Sequence, residues 1–231
     1  VADGVGVWAY RGVDPSLYSK GLCKHAENRA KIAHLTNLEV DSSTLMQVAY
    51  DKVQLEEVVG STKACFVSIH SRASGLFVRS TNVGDSGVMI VRMQDKKPTV
   101  LFRSKEQCWQ HRFIPYQLGT GSITTPKEGD VTDTPVQNGD FVILGTDGLF
   151  DNVYDIEILG LISENQNVQA FCNRLAVFAR QKAEDRSVAT PFADAVQNLQ
   201  NPELWYSGGK VDDITVLVGK VIGGAPVQRS R

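Results

Sequence analysis

Apolar positions along the chain fall into blocks with two different periods. Leu22, Ala26, Ala30 and Ala33 recur at helical spacing. Asp14-Pro15 ahead of them reads as a helix start, with Asp as N-cap and Pro in the first turn. A second helix is expected over about residues 43–58. Strand-like runs follow at 64–70 and 76–83, joined by a turn over 71–75, then at 87–92 and 99–103 around a polar Lys96-Lys97-Pro98 turn. Residues 104–139 are rich in Gly, Pro, Thr and Gln with little periodicity and are expected to form a long surface excursion. The continuous apolar run at 141–145 predicts a strand buried on both faces. Helices are expected over 154–163, then through Val168, Phe171, Cys172, Leu175, Ala176 and Ala179, and briefly from Pro191. A strand over 214–221 closes the pattern, and residues 223–231 read as a flexible tail. Strands grouped in hairpins with paired helices between them predict an α+β domain spanning 1–222 rather than alternating βαβ units.

Composition narrows the chemistry. The 231 residues are 42% hydrophobic and 22% charged, with a net charge of -2. That is a globular balance without the basic footprint of a nucleic-acid binder. Cys23, Cys65, Cys108 and Cys172 form no C-x-x-C, and His25, His34, His70 and His111 form no H-x-x-x-H. Zinc-finger and thioredoxin-type chemistry are therefore disfavoured, and a bound metal is expected to sit on oxygens. Cys65 and Cys172 lie in apolar runs and are expected to be buried. No apolar run approaches the roughly 20 residues of a membrane span. No targeting peptide is visible, and Val1-Ala2-Asp3-Gly4 reads as a strand end entering a turn. The chain is therefore expected to be a fragment or mature core.

Acid-rich clusters carry the candidate chemistry: Asp3-Gly4-Val5-Gly6, Gly84-Asp85-Ser86-Gly87, the segment from Thr146 and Asp147 through Asp151 to Asn152, and Gly208-Gly209-Lys210-Val211-Asp212-Asp213. Each adjoins an expected strand end, so a sheet can bring them together. Converging carboxylates push one another toward the neutral form unless cations intervene, and Mg²⁺ and Mn²⁺ favour such oxygen ligands. Gly4 is expected to turn the backbone so that its carbonyl faces the metal. Taken singly each motif is an ordinary turn. Gly129-Asp130 and Gly139-Asp140 serve as controls and are read as solvated turns.

Order and context make the pattern specific. A-D-G-V-G, G-S-T-K-A, N-V-G-D-S-G, G-T-D-G-L-F-D-N and G-G-K-V-D-D-I-T-V-L-V occur in the order found in the type-2C (metal-dependent, PPM) serine/threonine protein phosphatases. The chain resembles that family from Val1 to about Val221. G-V-x-P-x-x-Y-S and T-P-F-A-D-A resemble its organelle branch, mitochondrial or chloroplast, and a cytoplasmic location is the alternative. The resemblance implies two packed antiparallel β-sheets flanked by helices. It implies two divalent cations, Mn²⁺ or Mg²⁺, with Asp3 bridging both and Gly4 offering its carbonyl to one. Asp147 and Asp212 would ligate the other, with Asp85 and Asp151 acting through water or a weaker site. Asp213 is expected to stay outside the ligand set. Asp3, Asp147 and Asp212 would then support hydrolysis of phosphoserine or phosphothreonine in a phosphoprotein substrate by a metal-activated water.

Two departures keep a second reading open. The family carries an acid and a phosphate-gripping basic residue in strands before the first Asp-Gly, which this sequence does not include. Val5 also stands where many members have a proton-donating histidine. A pseudophosphatase, or regulatory binding module on the same fold, is the alternative. A calcium-binding β-domain is disfavoured, since no twelve-residue loop ends in glutamate. The lack of a C-x₅-R loop argues against a cysteine-based phosphatase. Elsewhere, Ser61-Thr62 reads as a strand entry, Gly119-Thr120-Gly121 as a flexible turn and Phe150 as core. Trp109, His111, Arg112, Phe113 and Tyr116 read as either a substrate flap or a packed loop. Lys182, Glu184, Asp185 and Arg186 read as an exposed helix end.

Overall fold

The computed structural model describes residues 1–109, 114–163, 167–199 and 205–223. His111, Arg112, Phe113 and most of the expected tail lie outside these residues. The strands are β1 (Ala2–Gly4), β2 (Ser61–Arg72), β3 (Gly75–Val83), β4 (Gly87–Gln94), β5 (Lys97–Arg103), β6 (Leu118–Gly119), β7 (Asp130–Val136), β8 (Phe141–Gly145) and β9 (Val216–Lys220). The helices are α1 (Ser16–Leu35), α2 (Ser42–Leu55), α3 (Asp147–Phe150), α4 (Asp155–Gly160), α5 (Val168–Glu184) and α6 (Pro191–Gln197).

The strands form two antiparallel sheets, one ordered β1-β2-β3-β7 with β6 beside β2, the other β5-β4-β8-β9. Alternation along the strands explains the layering. Val88 and Ile90 of β4 and Val142 and Leu144 of β8 pack with Cys65 and Val78 of the first sheet. Met89, Val91, Phe141 and Ile143 point the other way, onto Phe171, Leu175 and Ala179 of α5. On the opposite outer face, Tyr18 and Leu22 of α1 and Met46, Ala49 and Val53 of α2 cover Ala64, Phe66 and Val83. The expected αββα sandwich is what forms.

Several elements differ from expectation. α1 starts at Ser16, one residue later, although Asp14 Oδ1 does accept from the Ser16 amide at 2.9 Å. The β4–β5 turn is Asp95-Lys96, both at positive φ, so Lys97 and Pro98 belong to β5. Proline is tolerated there because β5 is an edge strand. The excursion at 104–139 is only partly irregular: β7 inside it pairs with β3 from Leu76↔Val136 to Asn82↔Asp130. Its period was masked by Pro135 and two aspartates, which an edge strand can carry. Cys65 is buried as expected, whereas Cys172 is half-buried.

Buried ion pairs correct two readings. Asp140 is not a solvated turn residue: it is 1% exposed, and both its oxygens accept from Arg92, at 2.9 and 2.7 Å. Lys182 is buried too, its ammonium donating to both oxygens of Glu157 at 2.7 and 2.8 Å. A charge enters an interior only with such partners. Asp41 joins α2 to the first sheet: Oδ1 accepts from the Thr44 amide at 2.8 Å, and Oδ2 from Arg79 at 3.0 Å.

Replacing Asp140 by Ala leaves Arg92 and the Gln137 amide without their acceptor. It should cost about 2–3 kcal/mol in urea denaturation, while Asp130→Ala, at the exposed start of β7 rather than in the expected turn, should leave the midpoint nearly unchanged. Asp41→Ala should cost about 1 kcal/mol at neutral pH through the lost helix cap. Burial alone would raise the Asp41 pKa, but hydrogen bonds from Thr44, Ser43 and Arg79 outweigh it and hold it at about 2. A depressed carboxyl stabilises the fold above its unfolded pKa, so the wild-type advantage should shrink as pH falls from about 4 towards 2. Parallel pH-dependent melts of both proteins read this out.

Candidate metal centre

One end of the sandwich collects the acidic motifs. β1 delivers Asp3, paired directly opposite Lys63 of β2. Asp85 sits in the β3–β4 connection, Asp147 opens α3 after β8, Asp151 follows α3, and Asp212 lies ahead of β9. All five carboxylates and Gly4 line one open cleft of about 1550 Å³. Asp213, by contrast, is exposed.

The backbone around them is tied down. Thr62 Oγ1 donates to the Asp3 carbonyl at 2.7 Å. Asn152, fully buried, donates to the carbonyls of Gly148 and Lys210 at 3.0 and 2.9 Å and accepts the Lys210 amide at 2.8 Å. Thr146 Oγ1 donates to the Asp213 carbonyl and accepts the Thr215 amide, both at 3.1 Å. Gly4 is required for a reason other than a sharp turn: a Cβ there would meet the Pro15 carbonyl oxygen at 2.1 Å, so only glycine lets α1 approach β1.

Two lysines hold the carboxylates together. Lys63 Nζ lies 2.6 Å from Asp3 Oδ2, 3.3 Å from Asp147 Oδ2 and 3.5 Å from Asp85 Oδ1. Lys210 Nζ lies 2.9 Å from Asp147 Oδ2, 2.6 Å from Asp151 Oδ2 and 2.9 Å from Asp212 Oδ2. Neither lysine stood out in the sequence. The available signal was a lone charge, Lys63, inside the strand run Thr62 to Phe66, which a buried strand tolerates only beside opposite charge.

Electrostatics follow from this arrangement. Burial pushes Asp3 up to about 7, against the pull of Lys63, and Asp85 to about 6. Burial likewise lifts Asp151 to about 7, with Lys210 opposing. For Asp147 burial is outweighed by Lys63 and Lys210, which hold it well below the usual carboxylate range. Both ammonium groups are raised, because the surrounding aspartates outweigh their burial. Five carboxylates thus face two ammonium groups, and the lysines alone do not neutralise the site. Asp85 Oδ1 is buried with no hydrogen-bond partner, the Lys63 ion pair being too long for one.

The donor set therefore suits hard divalent cations in kind. In arrangement it does not yet do so. Among the described residues no three acidic, histidine or cysteine groups stand around one point closely enough to hold a metal ion. The ammonium groups lie between them.

Protein phosphatase 2C 55 of Arabidopsis thaliana, named as probable, is 36% identical over 227 residues, covering 96% of this chain and 45% of that protein. The human protein phosphatase PTC7 homolog is 34% identical over 239 residues, covering 96% of this chain and 74% of that protein. The chain belongs to the protein phosphatase 2C family. Among solved structures, the photosystem II phosphatase PBCP matches with a TM-score of 0.81 at 28% identity, over 95% of this chain and 85% of that one. No family model matches. The chain spans about half the length of the two Arabidopsis phosphatases 55 and 80. The PTC7 and PBCP likenesses agree with the organelle branch of this 2C family.

Trp109 and Tyr116 stack with centroids 4.5 Å apart, and the Trp109 amide donates to the Ile114 carbonyl at 2.9 Å. In the described part of that excursion Cys108 lies antiparallel to Pro115 beside the cleft. Because Asn152 alone satisfies three backbone groups between α3 and the Lys210 segment, Asn152→Ala should destabilise the 2C chain by about 2–3 kcal/mol. Amide exchange should quicken at Lys210 and Asp213 before it does in β8.

Proposed function

We propose that this chain is the catalytic core of a divalent-metal-dependent protein serine/threonine phosphatase. The observation that carries the reading is the gathering of Asp3, Asp85, Asp147, Asp151 and Asp212 in one cleft of a 2C-family fold. Asp3, the Gly4 carbonyl, Asp147 and Asp212 would hold the divalent metal, Mn²⁺ or Mg²⁺, with Asp85 and Asp151 acting through water or a weaker site. Bound there, such ions supply Lewis acidity and a water acidic enough to act as nucleophile near neutral pH.

The chain's own residues supply position and charge. Thr62 and Asn152 fix the backbone that carries Asp3 and Asp147, so that the carboxylates stand in a preset array facing the cleft. Arg103, held over the Phe150 ring at 3.6 Å, and Lys105 line the same cleft and add positive charge for an anionic phosphopeptide. Val5 lines it as well and has no proton to give, so the departing serine or threonine oxygen must take its proton from water or from another side chain.

A phosphoprotein is the substrate this chemistry fits. Among the described residues no helix is long and apolar enough to cross a membrane. Likeness to the PTC7 homologs and to a photosystem II phosphatase supports a place in a mitochondrion or chloroplast.

The test is Mn²⁺-dependent release of phosphate from a phosphothreonine peptide. Turnover should vanish with chelator and fall at least about 100-fold in Asp147→Asn, since the lost group serves the reacting centre directly. A folded chain that binds Mn²⁺ but never turns over would favour the binding-module alternative.

A further inference from the structure

Lys63 has no place in the reading above. Its ammonium sits among Asp3, Asp85 and Asp147, two of which that reading gives to the metals. The residue is 8% exposed and projects from the interior of β2, directly across the ladder from Asp3. Its stem is confined as well. Gly84 has φ +93, and a Cβ there would come within 2.9 Å of Lys63 Cβ and Cγ, so the β3–β4 connection closes directly over the stem. Only the outer end of the side chain is free to move, and it points at carboxylates.

Lys210 differs in each respect. It lies on the segment before β9, its side chain is 26% exposed, and its ammonium is 5.3 Å from the Phe192 ring at the cleft wall. Turned outward, it would leave Asp147, Asp151 and Asp212 to another cation.

We propose that Lys63 is a tethered cation standing in place of one of the two divalent ions, so that this chain holds one tightly bound divalent ion where its carboxylates would otherwise take two. This rests on the metallophosphatase reading. The physical reason is competition: an ammonium and a divalent ion repel, and they seek the same oxygens of Asp3 and Asp147. The ammonium is held by its backbone and cannot be diluted away, whereas the ion must be recruited from solution.

Equilibrating the full chain with Mn²⁺ and counting bound metal by atomic emission, with free Mn²⁺ followed by electron paramagnetic resonance, tests this. Wild type should hold one ion per chain. Lys63→Met, which keeps the stem and removes the charge, should hold two, and Lys63→Arg should stay at one. In chelator Lys63→Met should melt below wild type, and Mn²⁺ should raise its melting temperature by more than it raises that of wild type. Two ions on wild type overturn the inference and leave the metallophosphatase reading standing, and this count decides even where a variant fails to fold. One ion on a folded Lys63→Met also overturns it. No Mn²⁺ on any of the three proteins overturns both.

Discussion

Carboxylates do not gather in a half-buried cleft unless positive charge gathers with them, and the end of this sandwich is organised around that requirement. The acids arrive from four different strand ends, Asp147 and Asp151 both following β8, so no local turn could hold the set. Burial lifts Asp3, Asp85 and Asp151, each paired with one ammonium, whereas the two ammonium groups at Asp147 hold it low. Asp147 meets both lysines and is held ionised, while Asp85 meets one, at 3.5 Å, and is lifted to about 6. The uneven sharing is the mark of a site short of cations.

The scaffold makes that concentration of charge sustainable. Both sheets present interior faces of Val, Ile, Leu and Cys to one another, and helices seal their outer faces. The acids sit on the rims of this rigid body rather than on free loops. Asn152 and Thr146 join the α3 entry to the segment before β9 through hydrogen bonds to backbone. With the frame set by packing, electrostatic strain at the rim is borne without moving the strands.

What could be read in the sequence follows the same division. β8 was legible because a strand buried on both faces must be apolar throughout, and α5 because its buried stripe keeps helical period. β7 was hidden because an edge strand answers to pairing more than to burial. The acids of the cleft were legible through repeated Asp-Gly and Asp-Asp motifs in order. Lys63 and Lys210 were not, since most of their partners lie across the fold. Asp140 and Lys182 were misjudged for the converse reason: nothing local announces that Arg92 or Glu157 will meet them. Burial of a charge depends on its partner, and the partner is a tertiary fact.

The two lysines divide the cleft into unlike halves. An ammonium neutralises charge, but it has no vacant coordination position for a phosphoryl oxygen or a water. The half around Asp3 and Asp85, where Lys63 is confined beneath Gly84, is therefore suited to keeping carboxylates in register. The half around Asp151 and Asp212 is held by Lys210, whose side chain is the more exposed of the two. Asp147 belongs to both, touching each ammonium, and it is the group through which the charge state of one half is felt in the other. A change that frees the first half from its tethered cation should thus alter the second as well, because the same carboxylate has to satisfy both.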